Sequence, residues 1–363
     1  MAHPGWFALL LATTSILGQS APRALATSRD RAITFPTSKP VLGLPLGTSW
    51  RQGLCSSDGL TYFNPPSNST GNTRVLDLYS VATSGEVRHL LQTVPIEYTN
   101  VFKRDFFAGD SALVTLIEAQ KRNGSDPEER PTEIQYYLSI SDHDGDSHDL
   151  VALDMHFKPL KAARLGSGDF IVLGWQEGNR LAQLAVLKED GTLRRFIDWE
   201  EQATGSQTPI AASPAETMES LAGAAFVPFG GNVLLTYPGT SRRIHVLNGG
   251  GMNRGTSLAF PPGYQLHDVL NSGCCSTIVA RAEELPDSHA TKSENGPKLR
   301  MFEFDFRTGK RIREFTFDKE PISAVTCAAD HSLSAIFLQP VGTAADPNKE
   351  EQPTQWVVGS AFK

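Results

Sequence analysis

No block of Lys and Arg interrupts this sequence, and acids outnumber bases, with Asp+Glu 40 against Lys+Arg 33 and a formal net charge of −7. Nucleic-acid binding leaves a basic patch or stripe, so that class of partner is not expected. No segment approaches the roughly 18 consecutive apolar residues of a spanning helix, and no membrane span is expected of the mature chain. Motifs that carry chemistry are missing too. There is no Gly-x-Ser-x-Gly, no His-Glu-x-x-His, no Walker-type loop and no Gly-x-Gly-x-x-Gly opening a helix. The run Gly249-Gly250-Gly251 has the look of a phosphate loop but reads as a hairpin turn. Helical periodicity is almost absent. The best candidate, Ser213 to Leu221, has a capping Ser213, Pro214 in the first turn and Glu216 to complete a capping box, yet it sits inside a connection.

What is present is enough apolar material for a large core: 363 residues, 40% hydrophobic and 20% charged. Residues 1–26 read as a signal peptide. Trp6 to Leu17 is an apolar run too short to span a bilayer, and Ala24-Leu25-Ala26 offers the small residues a signal peptidase needs, although Met1 to Gly5 lacks Lys and Arg. The expectation is an exported protein, periplasmic or secreted, with a single domain over residues 27–363.

The rest is repetitive under weak similarity. An apolar stretch, a tight polar turn and a second apolar stretch recur around Gly59, Gly109, Gly168, Gly231, Gly273 and Asp330. A second hairpin follows each. It turns at Thr83-Ser84-Gly85, Asp144-Gly145, Asp190-Gly191, Gly249-Gly250 and Thr308-Gly309, where glycine supplies the positive φ of a short hairpin. Each unit thus has four strands, A to D, alternating as half-exposed strands do. Six such units overfill a single sandwich and argue for radial repetition, hence an all-β six-bladed propeller. The sixth unit supplies A, B and C (Trp356 to Phe362) and then the chain ends. Its missing outer strand is expected from Arg31 to Phe35, which would close the ring.

This pattern resembles six-bladed β-propellers of the NHL-repeat and TolB-like kind over residues 31–363, by strand and turn spacing alone. The absence of Trp-Asp at the C strands sets it apart from WD repeats. The resemblance implies the fold and leaves function open, because such propellers include both binding scaffolds and enzymes.

Candidate chemistry is local. The turn Ser141 to Asp149 carries Asp142, Asp144, Asp146 and Asp149 around Gly145. Such carboxylates can converge on Ca²⁺, and the turn resembles calcium loops of integrin-type propellers with its last Asp one residue early. Its alternatives are a solvated hairpin turn or a transition-metal site at His143 and His148. Likeness to six-bladed lactonases and phosphotriesterase-like enzymes implies a metal at the channel mouth, where the inner-strand entrances offer Glu97, Asn100, His156, His267, Asp268 and Glu320. A metal-dependent hydrolase is therefore the second reading, after a non-catalytic binding scaffold. Met301, Phe302, Phe304 and Phe306 alternate as blade packing.

Cys55 and Cys327 each lie three residues before the acid of their turn, Asp58 and Asp330, in units that ring closure makes neighbours. An exported chain with 4 cysteines permits a Cys55–Cys327 bridge. Cys275–Cys327 and free thiols are the alternatives. Finally, the long polar segments Pro65 to Thr73, Gln120 to Pro131, Glu283 to Pro297 and Val341 to Pro353 are all B-to-C connections, and Glu200 to Thr217 is a D-to-A connection. All belong on one face of the ring, which is expected to receive a protein, peptide or small-molecule ligand, the alternative being disorder, which their Ser, Thr, Pro, Asp and Glu content equally suits.

Overall fold

A computed structural model describes residues 32–33, 37–54, 59–65, 76–98, 100–122, 130–145, 148–176, 182–197, 223–236, 243–252, 255–272, 277–285, 299–317, 324–327, 333–340 and 354–361. Two short strands come first, β1 (Ala32–Ile33) and β2 (Thr37–Pro40). Blade 1 is β3 (Ser49–Leu54), β4 (Leu60–Asn64), β5 (Leu76–Val81) and β6 (Val87–Gln92). Blade 2 is β7 (Asn100–Ala108), β8 (Leu113–Lys121), β9 (Glu133–Ser141) and β10 (His148–Ala152). Blade 3 is β11 (Lys158–Arg164), β12 (Phe170–Trp175), β13 (Ala182–Leu187) and β14 (Leu193–Ile197). Blade 4 is β15 (Ala225–Phe229), β16 (Asn232–Thr236), β17 (Arg243–Asn248) and β18 (Gly251–Met252), with β19 (Thr256–Ser257) also on β17. Blade 5 is β20 (Tyr264–Ser272), β21 (Thr277–Glu284), β22 (Leu299–Asp305) and β23 (Arg311–Phe317). Blade 6 is β24 (Ala324–Cys327), β25 (Leu333–Pro340) and β26 (Thr354–Ala361), completed by β2. The chain is a six-bladed β-propeller.

The closing strand differs from the expected one. β2, and not Arg31 to Phe35, pairs antiparallel with β26, placing Ser38 opposite Gly359 and Pro40 opposite Val357. Ala32 and Ile33 lie parallel to Thr316 and Phe317 on blade 5. The leading segment therefore joins two blades. Pro40, which lacks an N–H, is tolerated in this outermost strand because half of an edge strand's donors face away from the sheet. Beyond it, the Val41 N–H donates to the Trp356 carbonyl at 2.8 Å, and Trp356 Nε1 donates to the Pro45 carbonyl at 3.2 Å.

The core lies between blades. Second strands such as β8 and β12 are buried on both faces, because each blade packs against a neighbour on either side. Leu116, Leu138, Ile171, Leu173, Leu184, Val186 and Leu235 form one continuous layer across blades 2 to 4. Phe260, Phe302 and Phe304 meet edge-on at the boundary of blades 4 and 5. Phe63 meets Trp356 between blades 1 and 6, with centroids 5.8 Å apart. Outer strands such as β14 are largely exposed.

Antiparallel order fixes the two faces. Connections from A to B and from C to D lie on one, the turn face. Those from B to C and from D to the next A lie on the other, the loop face. Glycines of the C-to-D turns do more than turn. Gly145 packs on Leu90, Gly191 on the Ala152 carbonyl, and Gly309 on the Ser257 carbonyl, so each touches the outer part of the preceding blade. The segments between β4 and β5, β8 and β9, β21 and β22, and β25 and β26 are long. Those of blades 3 and 4 are short.

Candidate functional site

Innermost strands wall the channel, and four of them are bulged at matching points. The extra residues are Arg51 in β3, Arg104 in β7, Leu160 in β11 and His267 in β20. A bulge re-aims side chains and increases local twist. Each is followed by a polar residue, Gln52, Asp105, Lys161 or Asp268. Gln52 donates to the Ala108 carbonyl at 3.2 Å and accepts from the Ala108 N–H at 2.9 Å, locking blade 1 to blade 2. Asp105 accepts from the Ala162 N–H at 3.2 Å and pairs with Lys161 at 3.3 Å, locking blade 2 to blade 3. Burial pushes the Asp105 carboxyl up, against the pull of Lys161 and the Ala162 N–H. Arg281 pairs with Asp268 and lies over the Trp50 ring, 5.6 Å from its centroid.

The strand-B residue paired with the position two before each bulge completes a second ring: Glu118 opposite Phe102, Glu283 opposite Gln265, Trp175 opposite Lys158, and Asn64 opposite Ser49. Glu118 is 2% exposed and accepts from Arg104 Nε at 2.8 Å and from Gln120 at 2.5 Å, with the Tyr136 hydroxyl at 3.5 Å. Burial opposes its ionisation, but hydrogen bonds from Arg104 and Gln120 and the charges of Arg104 and Lys158 outweigh burial and hold the carboxyl below its ordinary value. His267 Nδ1 stands 3.8 Å from Glu283.

At the loop face, exposed apolar side chains gather. Leu42, Leu46, Leu91, Ile96, Phe102, Ile134, Phe196 and Leu285 all occupy strand ends or connections on that side, with Ile96 83% and Leu42 77% exposed. Among the described residues, Leu193 and Ile312 are the large exposed apolar residues toward the turn face. Tyr98 adds a polar rim, donating to Glu133 at 2.9 Å while Lys121 sits 4.8 Å over its ring. The Tyr137 hydroxyl reaches Glu97 at 3.4 Å.

The turn face is knitted differently. Tyr62, fully buried, shares its hydroxyl with His143 Nδ1 at 2.8 Å, and His143 Nε2 approaches the Asp110 carbonyl at 3.4 Å. Asp110 accepts from the Gly231 N–H at 3.3 Å, and the Gly231 carbonyl accepts from Gly166 at 2.7 Å. Turns of blades 2, 3 and 4 are thus drawn together. Burial first, then the Asp144 charge, pushes the Tyr62 phenol up.

The acidic turn lies here. Asp142 accepts from the Asp144 N–H at 3.1 Å, and Asp144 pairs with Arg88 of blade 1. Asp149 stands opposite Ile140 in the ladder. Among the described residues, no group of three or more His, Cys, Asp or Glu is placed to hold a metal, whether on this turn or among Glu97, His156, His267 and Asp268. Asp146, Glu320, Cys55, Cys275 and the Ser213 to Leu221 segment lie outside the described residues, as does the side chain of His148. Cys327 ends β24, which packs beside β3. Gly249 and Gly250 form the expected turn, with Gly250 N–H donating to Asn248 at 2.8 Å. Among the described residues, no helix is long and apolar enough to cross a membrane. The bulge ring went unread in the sequence, although its signal is visible: polar doublets Arg51-Gln52, Arg104-Asp105 and His267-Asp268 interrupt apolar inner strands at one repeated place.

No family model and no curated protein matches this chain. Solved structures similar to it include the Neurospora crassa Pan2 WD40 domain, at 10% identity over 92% of this chain and 96% of that one, with a TM-score of 0.39. The Dos1 propeller is similar at 10% identity over 90% and 95%, with a TM-score of 0.40. A GH43_1 enzyme from Xanthomonas citri complexed with xylotriose is similar at 13% identity over 68% and 84%, with a TM-score of 0.35.

Proposed function

We propose that this chain is an exported, non-catalytic binding scaffold whose protein partner docks on the loop face. The observation that carries this reading is the segregation of exposed apolar side chains. Leu285, Leu42, Leu46, Leu91, Ile96, Phe102 and Ile134 follow one another around blades 5, 6, 1 and 2, the sector that also has the long B-to-C connections. Scattered apolar residues need no explanation on a soluble surface, but a patch confined to one rim of a rigid ring is what an interface leaves. Export is supported by Trp6 to Leu17 and the Ala24-Leu25-Ala26 cleavage pattern.

The test compares two double variants in the source cells by cross-linking and mass spectrometry. Leu42→Asp/Ile96→Asp should lose the wild-type cross-linked partner, and Leu193→Asp/Ile312→Asp on the turn face should retain it. A partner lost only in the turn-face variant overturns the reading. N-terminal sequencing of the mature protein should begin at Thr27, and a retained Met1 or Ala2 in extracytoplasmic protein overturns the export proposal.

A further inference from the structure

Blade 1 departs from the pattern of blade 2 at one place, and leaves cations without an acid. In blade 2 the bulged Arg104 is neutralised by Glu118 across the strand pair, with Lys158 of the next blade adding to the field. In blade 1 the bulged Arg51 is exposed, and no polar partner for it exists among the described residues. The position of Glu118 is taken by Asn64, which brings no charge.

Lys103 of blade 2 reaches into the same crevice and donates to the Asp77 carbonyl at 2.7 Å. β5 pairs with β4 as far as Phe63 opposite Tyr79, which leaves Asp77 two residues along β5 from that pair, toward the Asn64 end of β4. The Asp77 carboxylate is itself engaged by His89 at 2.8 Å. Two further atoms in this interface lack partners. Asn64 Oδ1 and Gln92 Oε1 belong to side chains only 9% and 7% exposed and have no hydrogen bond. Gln92 reaches blade 2 through Thr115, which fixes the side of the sheet it occupies. A buried acceptor without a partner costs about 1–3 kcal/mol; the Gln92 amide is held by Thr115, whereas no hydrogen bond holds the Asn64 oxygen in its present orientation. Burial and then Arg51 push the Lys103 ammonium down to about 8, the sign of a desolvated cation beside a like charge.

We propose that the crevice between blades 1 and 2 binds a carboxylate, which takes between Arg51 and Lys103 the place that Glu118 holds in blade 2. The carboxylate cancels the repulsion between Arg51 and Lys103 and is met by charge-assisted donors. Rotation of the Asn64 amide presents its N–H₂ to the incoming oxygen. The site goes beyond the loop-face patch, because it lies in the channel wall and is made of charge. The carboxylate can be a free small acid or an acidic side chain of a bound peptide, and the chemistry is the same.

The experiment uses the full chain at pH 7 in chloride, with melting followed by scanning fluorimetry. Two probes are added at matched ionic strength: sodium acetate, and the peptide N-acetyl-Gly-Glu-Gly-amide, whose only carboxylate is a side chain. A rise in Tm of about 2 °C or more with either probe supports the site. Acetate acting alone assigns a free small acid, and the peptide acting alone assigns a partner's side chain. Arg51→Gln, an exposed change, should lose the rise. Asn64→Glu restores the blade 2 arrangement and should raise Tm without any probe while abolishing the further rise. No rise with either probe, or an equal rise in Arg51→Gln, overturns the proposal even if Asn64→Glu fails to fold.

Discussion

Gln52 holds Ala108 of the neighbouring blade by both ends of its amide, giving an N–H to the Ala108 carbonyl and taking the Ala108 N–H on its oxygen. Both Ala108 groups are buried at the end of β7, where no strand partner can replace the amide. Gln52→Leu keeps the volume and strands a donor and an acceptor. It should therefore destabilise by about 2–4 kcal/mol, against the ~0.5 kcal/mol or less of an ordinary surface change. Urea denaturation measures this, and a loss below about 0.5 kcal/mol would mean the clamp is not structural.

Ring closure predicts an unequal pair of truncations. Removing residues through Phe35 deletes β1 and its parallel ladder on blade 5, but leaves β2 on β26. Removing residues through Pro40 also uncovers the edge of β26, an unpaired row of backbone groups that invites edge-to-edge pairing. The longer deletion should lower Tm far more and produce dimers or aggregates in light scattering. Equal melting of the two truncated proteins would show that β2 contributes nothing to closure.

The hairpins were legible because their turns need positive φ. Gly85, Gly145, Gly191 and Gly309 all have it, so glycine marks the repeat, although in blade 4 neither Gly249 nor Gly250 has it and Gly251 does instead. The closing strand was misplaced for an equally physical reason: Ala32-Ile33 has the apolar look of a strand, whereas Thr37-Ser38-Lys39-Pro40 has none, and the edge position tolerates that lack. The site was harder still. A bulge adds one residue without changing composition, so the coincidence of Arg51, Arg104 and His267 is a property of register, and register is set by pairing that the local sequence does not display. Segment lengths show which face carries the long connections, but the exposed apolar residues Leu42, Ile96 and Ile134 are scattered singly along the chain and come to one face only when the ring forms.

Glycines at the turns separate two kinds of cost. Gly43 has φ +91° with nothing within 4 Å of an added Cβ, so Gly43→Ala measures the left-handed backbone alone, about 1–2 kcal/mol. Gly191 has φ +83°, and its added Cβ would collide with the Ala152 carbonyl of blade 2. Gly191→Ala should bear the same backbone cost plus displacement of a whole blade edge, and lose about 3 kcal/mol or more. Equal losses in the two variants would show that the blades yield freely at this contact.

Lys103 sets the alkaline behaviour. Its ammonium is pushed from 10.5 to about 8 by burial first and by Arg51 second, with Asp77 pulling the other way. Below pH 8 native and unfolded chains both carry the proton and the penalty is present in full. Between 8 and 10.5 the unfolded chain holds more protons, so stability must rise with pH, by on the order of 3 kcal/mol at most. Burial also pushes the Tyr62 and Tyr98 phenols up, so above pH 10 the native chain keeps protons the unfolded chain loses, and stability falls again. Urea unfolding between pH 7 and 10.5, in chloride without carboxylate buffers, should thus show a rise and then a decline. Lys103→Met should flatten the rise and leave the decline, because the phenols are untouched. Parallel profiles for the two proteins would remove Lys103 from the account.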